Sequence, residues 1–222
     1  MRMSNRLSLL RAAVMVAVLL VVSSVAYGQS GGQTTIIDDW SQIAIPPPPE
    51  LRSVTVNSTT TALLILDMQN NLTDPSVRPR AAMSIPVISF LLSKARAHSM
   101  LVVYSNTPGA SPSDIVSALS PLPGDPVVRS GVDKFYRTDL EQILADHGIR
   151  TVIVTGTAAN GAVLYTATGA ALRGMKVIVP VDGMSAEPEY VEQYVAWHLL
   201  NSPGTRNAAT LTRSDLILFT AD

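Results

Sequence analysis

From residue 60 onward the chain alternates between two hydrophobic patterns. Unbroken apolar runs of strand length appear as "TALLILD" (61–67), "MLVVYSN" (100–106), "RTVIVTG" (150–156) and "MKVIVPVDG" (175–183). Such runs predict strands buried on both faces, as in a parallel sheet. Between them the apolar positions recur at helical spacing. "IPVISFLLSKARAHS" (85–99) places Val87, Phe90, Leu91, Leu92 and Ala95 on or beside one face. "TDLEQILADHG" (138–148) predicts a helix with Thr138 and Glu141 as a capping box and Gly148 at the left-handed C-terminal position. Helices are also predicted over 161–174 and 187–201, a short one over 111–122, a short strand over 125–130 and a last strand over 209–219. Strand and helix in alternation mean βαβ units, hence an α/β fold with a mostly parallel sheet and helices on both faces.

The first 58 residues break this pattern. "MRMSNRLSLLR" carries Arg2, Arg6 and Arg11, then comes the apolar run "AAVMVAVLLVVSSVA", and small residues follow near Gly28. A basic start, an apolar run too short to span a bilayer and a small-residue exit predict a signal peptide over 1–28 and an exported, periplasmic or secreted, protein without a membrane segment after cleavage, with an uncleaved membrane anchor the alternative. Residues 29–58 read as an extended arm ending in Pro46–Pro49. Trp40, Ile43 and Ile45 could anchor it on the domain or on a neighbouring subunit, and a spacer left from export is the alternative. The domain proper is 59–222.

Cleavage would remove three arginines and no acid, taking the net charge from −1 to −4. There is no basic run, which argues against nucleic acid as a partner. The chain has no cysteine, so disulfides, thiolate metal sites and thiol nucleophiles are excluded. His98, His147 and His198 are dispersed, and no metal or other cofactor is expected; His98 and His147 read as residues near helix C-termini.

In open α/β sheets ligands bind at the carboxyl ends of strands. The polar residues there are Asp67 and Gln69 after the first strand, Ser105 and Asn106 after the second, Arg129 and Lys134 after the third, and the turn Thr157, Ala158, Gly161 and Ala162 after the fourth. A lone aspartate at a strand end is commonly a turn residue, and a lone lysine a solvated charge.

Four stretches carry a resemblance: "TALLILDMQN", "KFYRTDLEQIL", "GIRTVIVTGTAANGAVLYTATGAALRGMKVIVPVDG" and "LTRSDLILF". In order and spacing they resemble the isochorismatase-like hydrolases, or cysteine hydrolase superfamily, over roughly residues 60–220. The resemblance implies a three-layer α/β/α sandwich with a six-stranded, mostly parallel sheet and a tendency to homo-oligomers. It implies a three-residue site: Asp67, a lysine before the Phe135 segment, and a cysteine at the start of the helix after the fourth strand. Ala162 occupies that last position. It also implies a non-proline cis bond at Thr157–Ala158, and substrate contacts by Gln69, Arg129, Phe135, Thr157, Ala158 and Gly161. The family spacing falls on Arg129 rather than on a lysine; Lys134 is preferred because an amine can exchange a proton, with Arg129 the alternative.

Alanine cannot form a thioester. Thr157, Tyr165 and Thr166 carry nearby hydroxyls, but the last two fall within the helix and read as packing residues. Family members without the cysteine imply a different reaction, in which an aspartic acid protonates an enol ether and water completes the hydrolysis. The expected function is therefore an exported hydrolase of a small molecule with a vinyl-ether or amide-like bond, based on Asp67 and Lys134. The alternative is an inactive family member that binds a small ligand or a partner.

Overall fold

The computed structural model describes residues 35–220; the signal-peptide segment 1–28 and the start of the arm lie outside the described residues. The chain divides at Ile45 into two units. In the first, one helical turn (Ile36–Asp39) continues into a 3₁₀ turn (Trp40–Gln42), and Trp40, Ile43 and Ile45 are exposed.

Among its described residues the second unit carries nine strands and four α-helices. They run β1 (Val54–Asn57), β2 (Thr61–Leu66), α1 (Pro79–Ala97), β3 (Leu101–Asn106), β4 (Val127–Arg129), α2 (Leu140–Asp146), β5 (Thr151–Thr157), α3 (Leu164–Leu172), β6 (Lys176–Pro180), β7 (Met184–Ser185), α4 (Glu189–Asn201), β8 (Ala209–Thr212) and β9 (Ile217–Thr220). The main sheet has the order β4-β3-β2-β5-β6-β8, every pairing parallel, and β7 adds beside the end of β5. β1 and β9 form a separate parallel pair. Among the described residues no helix is long and apolar enough to cross a membrane.

Strand alternation sorts the side chains into two cores. Ala62, Leu64 and Leu66 of β2 pack with Leu140 and Leu144 of α2, Ala167 and Ala170 of α3, and Val195 and Leu199 of α4. Leu63 and Ile65 face the other way, onto Ile88, Leu91 and Ala95 of α1. This is the expected α/β/α sandwich, with its layers set by the two-residue period of a strand buried on both sides.

Four expectations are corrected. The predicted last strand is two, β8 in the main sheet and β9 beside β1, because the 3₁₀ turn Ser214–Leu216 interrupts it. The short helix over 111–122 is a pair of 3₁₀ turns, Pro112–Asp114 and Ser117–Leu119. α1 starts at Pro79, ahead of its internal Pro86, and Phe90 is exposed rather than on the buried face. The capping box at Thr138 does not form: Asp139 is the N-cap, and the Thr138 hydroxyl instead donates to the Lys134 carbonyl at 2.5 Å and accepts from the Leu140 N–H at 3.2 Å. Glu141 pairs with Arg173 at 2.7 Å. Gly148 has the expected positive φ of 65°.

Candidate functional site

The site is assembled at the carboxyl ends of β2, β3 and β5. Register places Leu66 of β2 between Ser105 of β3 and Gly156 of β5. Asp67 therefore leaves the sheet between two neighbouring strand ends. Its φ is +53°, in the left-handed region that aspartate tolerates better than most residues. Extended backbone here would aim the side chain at α1, as for Leu63 and Ile65. The left-handed turn brings it to the face of Ser105, whose hydroxyl donates to Asp67 Oδ1 at 2.8 Å. The Asp67 N–H is bonded to the Ser105 carbonyl at 3.1 Å and to Ser105 Oγ at 3.2 Å.

Gly156 is the reason β5 can lie so close. It has φ +119°, and a Cβ there would sit 2.1 Å from the Leu66 carbonyl oxygen. No side chain fits that space, so glycine is required by both backbone and contact.

Lys134 comes from the loop between β4 and α2, and its side chain is completely buried. Nζ lies 2.7 Å from Asp67 Oδ2, 2.6 Å from the Gly131 carbonyl and 3.1 Å from the Ser130 carbonyl. An ammonium has three protons, and three acceptors surround this one. The match favours a charged lysine opposite an ionised aspartate. Burial opposes that state, pushing Asp67 above the usual carboxylate range and Lys134 below the usual amine range. In each case the partner's charge and hydrogen bond work against the burial.

The elbow after β5 supplies the other side. The peptide bond Thr157–Ala158 is cis, as the resemblance implied. The Gly161 and Val163 N–H groups both donate to the Ala158 carbonyl, at 3.0 and 3.3 Å, and Gly161 leaves helical geometry at φ −115°, ψ −106°. Ala162 is buried one turn before Thr166, on the same helix face. Thr166 Oγ1 accepts from the Lys134 N–H at 3.3 Å and donates to the Val132 carbonyl at 3.5 Å. The lysine loop is thus fastened to the face of α3 that Ala162 begins.

The expected residues distribute as follows. Asp67 and Lys134 meet directly, and Ala162 lies one helical turn from the Lys134 backbone contact. Arg129 is exposed on the edge strand β4, two strands from Asp67, so Lys134 rather than Arg129 is the cation at Asp67. Phe135 joins the core, capped by Arg173 at 4.3 Å from its ring centre and closely approached by Gly169. Thr157 is buried, and its hydroxyl donates to the Ser185 carbonyl at 3.3 Å. Gln69 Oε1 accepts from the Thr107 N–H at 2.8 Å and from its hydroxyl at 3.1 Å.

Ser105 was visible as a strand-end residue without a role; its pairing opposite Leu66 is the signal that assigns one. Thr166, read as packing, is a polar clamp. The Ser130 and Gly131 carbonyls left no trace in side-chain patterns. Among the described residues no cluster of three or more metal-ligating side chains occurs.

Sandwiches of this kind with known structures include an N-carbamoylsarcosine amidase from Thermoplasma acidophilum, with a TM-score of 0.61 and 26% identity over 70% of this chain and 97% of that one. A cysteine hydrolase from Pseudomonas syringae has a TM-score of 0.64 at 21% identity, covering 75% of this chain and 94% of that one. The class is that of the isochorismatase-like α/β hydrolases. The isochorismatase domain family matches residues 61–213, and the chain belongs to that family. Two of its relatives are the isochorismatase family protein YaaI of Bacillus subtilis, 26% identical over 58% of this chain and 82% of that one, and the secreted isochorismatase effector Isc1 of Verticillium dahliae, 29% identical over 65% and 79%.

Proposed function

We propose that this protein is an exported hydrolase that cleaves an enol-ether C–O bond in a small molecule without a covalent enzyme intermediate. One observation carries the proposal: a complete, buried Asp67–Lys134 pair beside an elbow whose nucleophile position is Ala162, in a chain without cysteine. An amide route through an acyl-enzyme needs a nucleophile that this elbow does not offer. Hydrolysis of an enol ether needs a proton donor and a water.

In this reading Asp67 takes up a proton and delivers it to the terminal carbon of CH₂=C(R)–O–R′. Water adds to the resulting oxocarbenium ion, its proton returns to the carboxylate, and the hemiketal collapses to CH₃–C(=O)–R and R′–OH. Burial assists by raising the proton affinity of Asp67. Lys134 holds Oδ2, which leaves Oδ1 as the proton-carrying oxygen, with the Ser105 hydroxyl as its exchange partner. The secreted fungal relative supports the export reading.

The test is product formation by the exported protein from a panel of enol ethers, isochorismate and a neutral alkyl vinyl ether included, beside a panel of primary amides. Carbonyl product from an enol ether, no ammonia from the amides, and loss of activity in Asp67→Asn are expected. Ammonia release would overturn the enol-ether assignment. One observation favours a second reading, a binding protein without turnover: both Asp67 oxygens and all three Lys134 protons are engaged within the protein. Inertness on every substrate with retained ligand binding would establish it.

A further inference from the structure

Beside the site, a groove of about 450 Å³ runs between the segments that follow β2 and β3. Its volume falls in the range that holds a small organic molecule. It begins two residues beyond Asp67 and two beyond Ser105, at Gln69 and Thr107, so at most about 7 Å of chain separates it from the Asp67–Ser105 pair. Asn70, Asn71 and Asp114 complete its polar lining, and none of the described residues that line it is basic.

Two details define what it can accept. Gln69 is oriented by its two bonds from Thr107 to Oε1, and no described residue accepts from its Nε2. Gln69 is almost fully buried in the groove wall, so its Nε2 is the uncommitted donor there that a carbonyl or hydroxyl oxygen would meet. Asp114 supplies a fixed negative charge: its Oδ2 accepts from the Ser111 N–H at 2.7 Å and the Ser111 hydroxyl at 3.0 Å. Those bonds, the backbone one first, keep its carboxyl below the usual range, so it is ionised at neutral pH.

We infer that this groove binds the part of the substrate that does not react, and that it selects an uncharged group bearing a carbonyl or hydroxyl oxygen over a carboxylate. A carboxylate would meet Asp114 with no cation in the lining to offset it, whereas a neutral oxygen is served by Gln69 Nε2. The inference rests on the hydrolase reading for what the groove is for, but its chemistry is read without turnover.

The experiment is an NMR titration of the full exported protein with benzamide and with benzoate, which have the same ring and differ in charge. Benzamide should bind more tightly by about tenfold or more, the effect of one well-placed hydrogen bond and one repelled charge. It should shift the Gln69 side-chain amide resonance, identified by its absence in Gln69→Leu. In Asp114→Asn, whose side chain is exposed, the gap should narrow by about threefold, the scale of one charge across several ångströms of largely aqueous medium. Equal affinities, tighter benzoate, shifts confined to residues outside the groove, or no binding by either up to solubility would overturn the inference. Selective binding together with inertness on the whole enol-ether panel would sink the hydrolase reading and leave the groove standing.

Discussion

The two sides of this site differ in how much chemistry their side chains retain. On the β2–β3 side, Asp67, Ser105 and Lys134 form a closed set of short hydrogen bonds around a buried ion pair. On the β5–α3 side the backbone is equally specific, with a cis bond, a tightly turned elbow and a glycine that admits no Cβ, yet Ala158, Gly161 and Ala162 carry no reactive group. The difference separates proton transfer from covalent capture. A chain that keeps the buried ion pair and lacks a nucleophile at the elbow fits the proposed reaction, in which water is the nucleophile.

The largest effect is expected at Asp67. If proton transfer is the function of its side of the site, Asp67→Asn should reduce turnover by about 10²–10⁴-fold in a steady-state assay. The next effect is on stability. Lys134→Met leaves a buried carboxylate unpaired and should cost about 3–5 kcal/mol in urea unfolding. The double variant Asp67→Leu/Lys134→Met should recover much of that loss, because the pair's desolvation disappears with both charges. A double variant as unstable as the single one would show that the pair is not the element at stake.

Ser105→Ala should cost about 1.5–3 kcal/mol, the range for a hydrogen bond to a charged group. On the other side, Gly156→Ala should cost more than about 1 kcal/mol through backbone strain alone, with the clash at Leu66 added. Ala162→Cys should leave stability nearly unchanged, and its thiol should react with iodoacetamide faster than free cysteine at neutral pH. A thiol that titrates like free cysteine would remove the elbow from the site.

The smallest expected effect is pH dependence. Burial raises Asp67 in the folded protein, so the folded state holds this proton more tightly than the unfolded chain does. That contribution is fully present below the unfolded carboxylate pKa of about 4 and is lost as pH rises through the raised folded value. The stability difference between wild type and Asp67→Asn should therefore fall as pH climbs from about 4 towards neutrality. A flat difference would mean that the proton affinity of Asp67 is unchanged by folding.

Much of this architecture was legible in the sequence. The buried strands announce themselves as apolar runs, and Asp67 ends one of them. Lys134 was legible as a candidate, but not as the completely buried side chain that it is, because nothing in a local pattern shows a loop folding back across two strand ends. Ser105 and Thr166 stayed silent for the same reason: each acts on a residue more than 30 positions away. Phe135, named as a substrate contact with the resemblance, is buried in the core, where the close approach of Gly169 makes room for it. The split of the last strand went unseen because the Ser214–Leu216 turn has no glycine or proline to mark it.

In the proposed reaction Asp67 transfers a proton to carbon without a covalent intermediate. Its most direct test is hydrolysis of an alkyl vinyl ether in D₂O, followed by NMR of the carbonyl product for wild type and Asp67→Asn, with intact-mass analysis of the protein during turnover. Wild type should give a CH₂D product about 100-fold or more faster than Asp67→Asn, with no mass adduct at any time. Equal rates from the two proteins, or an adduct on the enzyme, would contradict the proposed reaction.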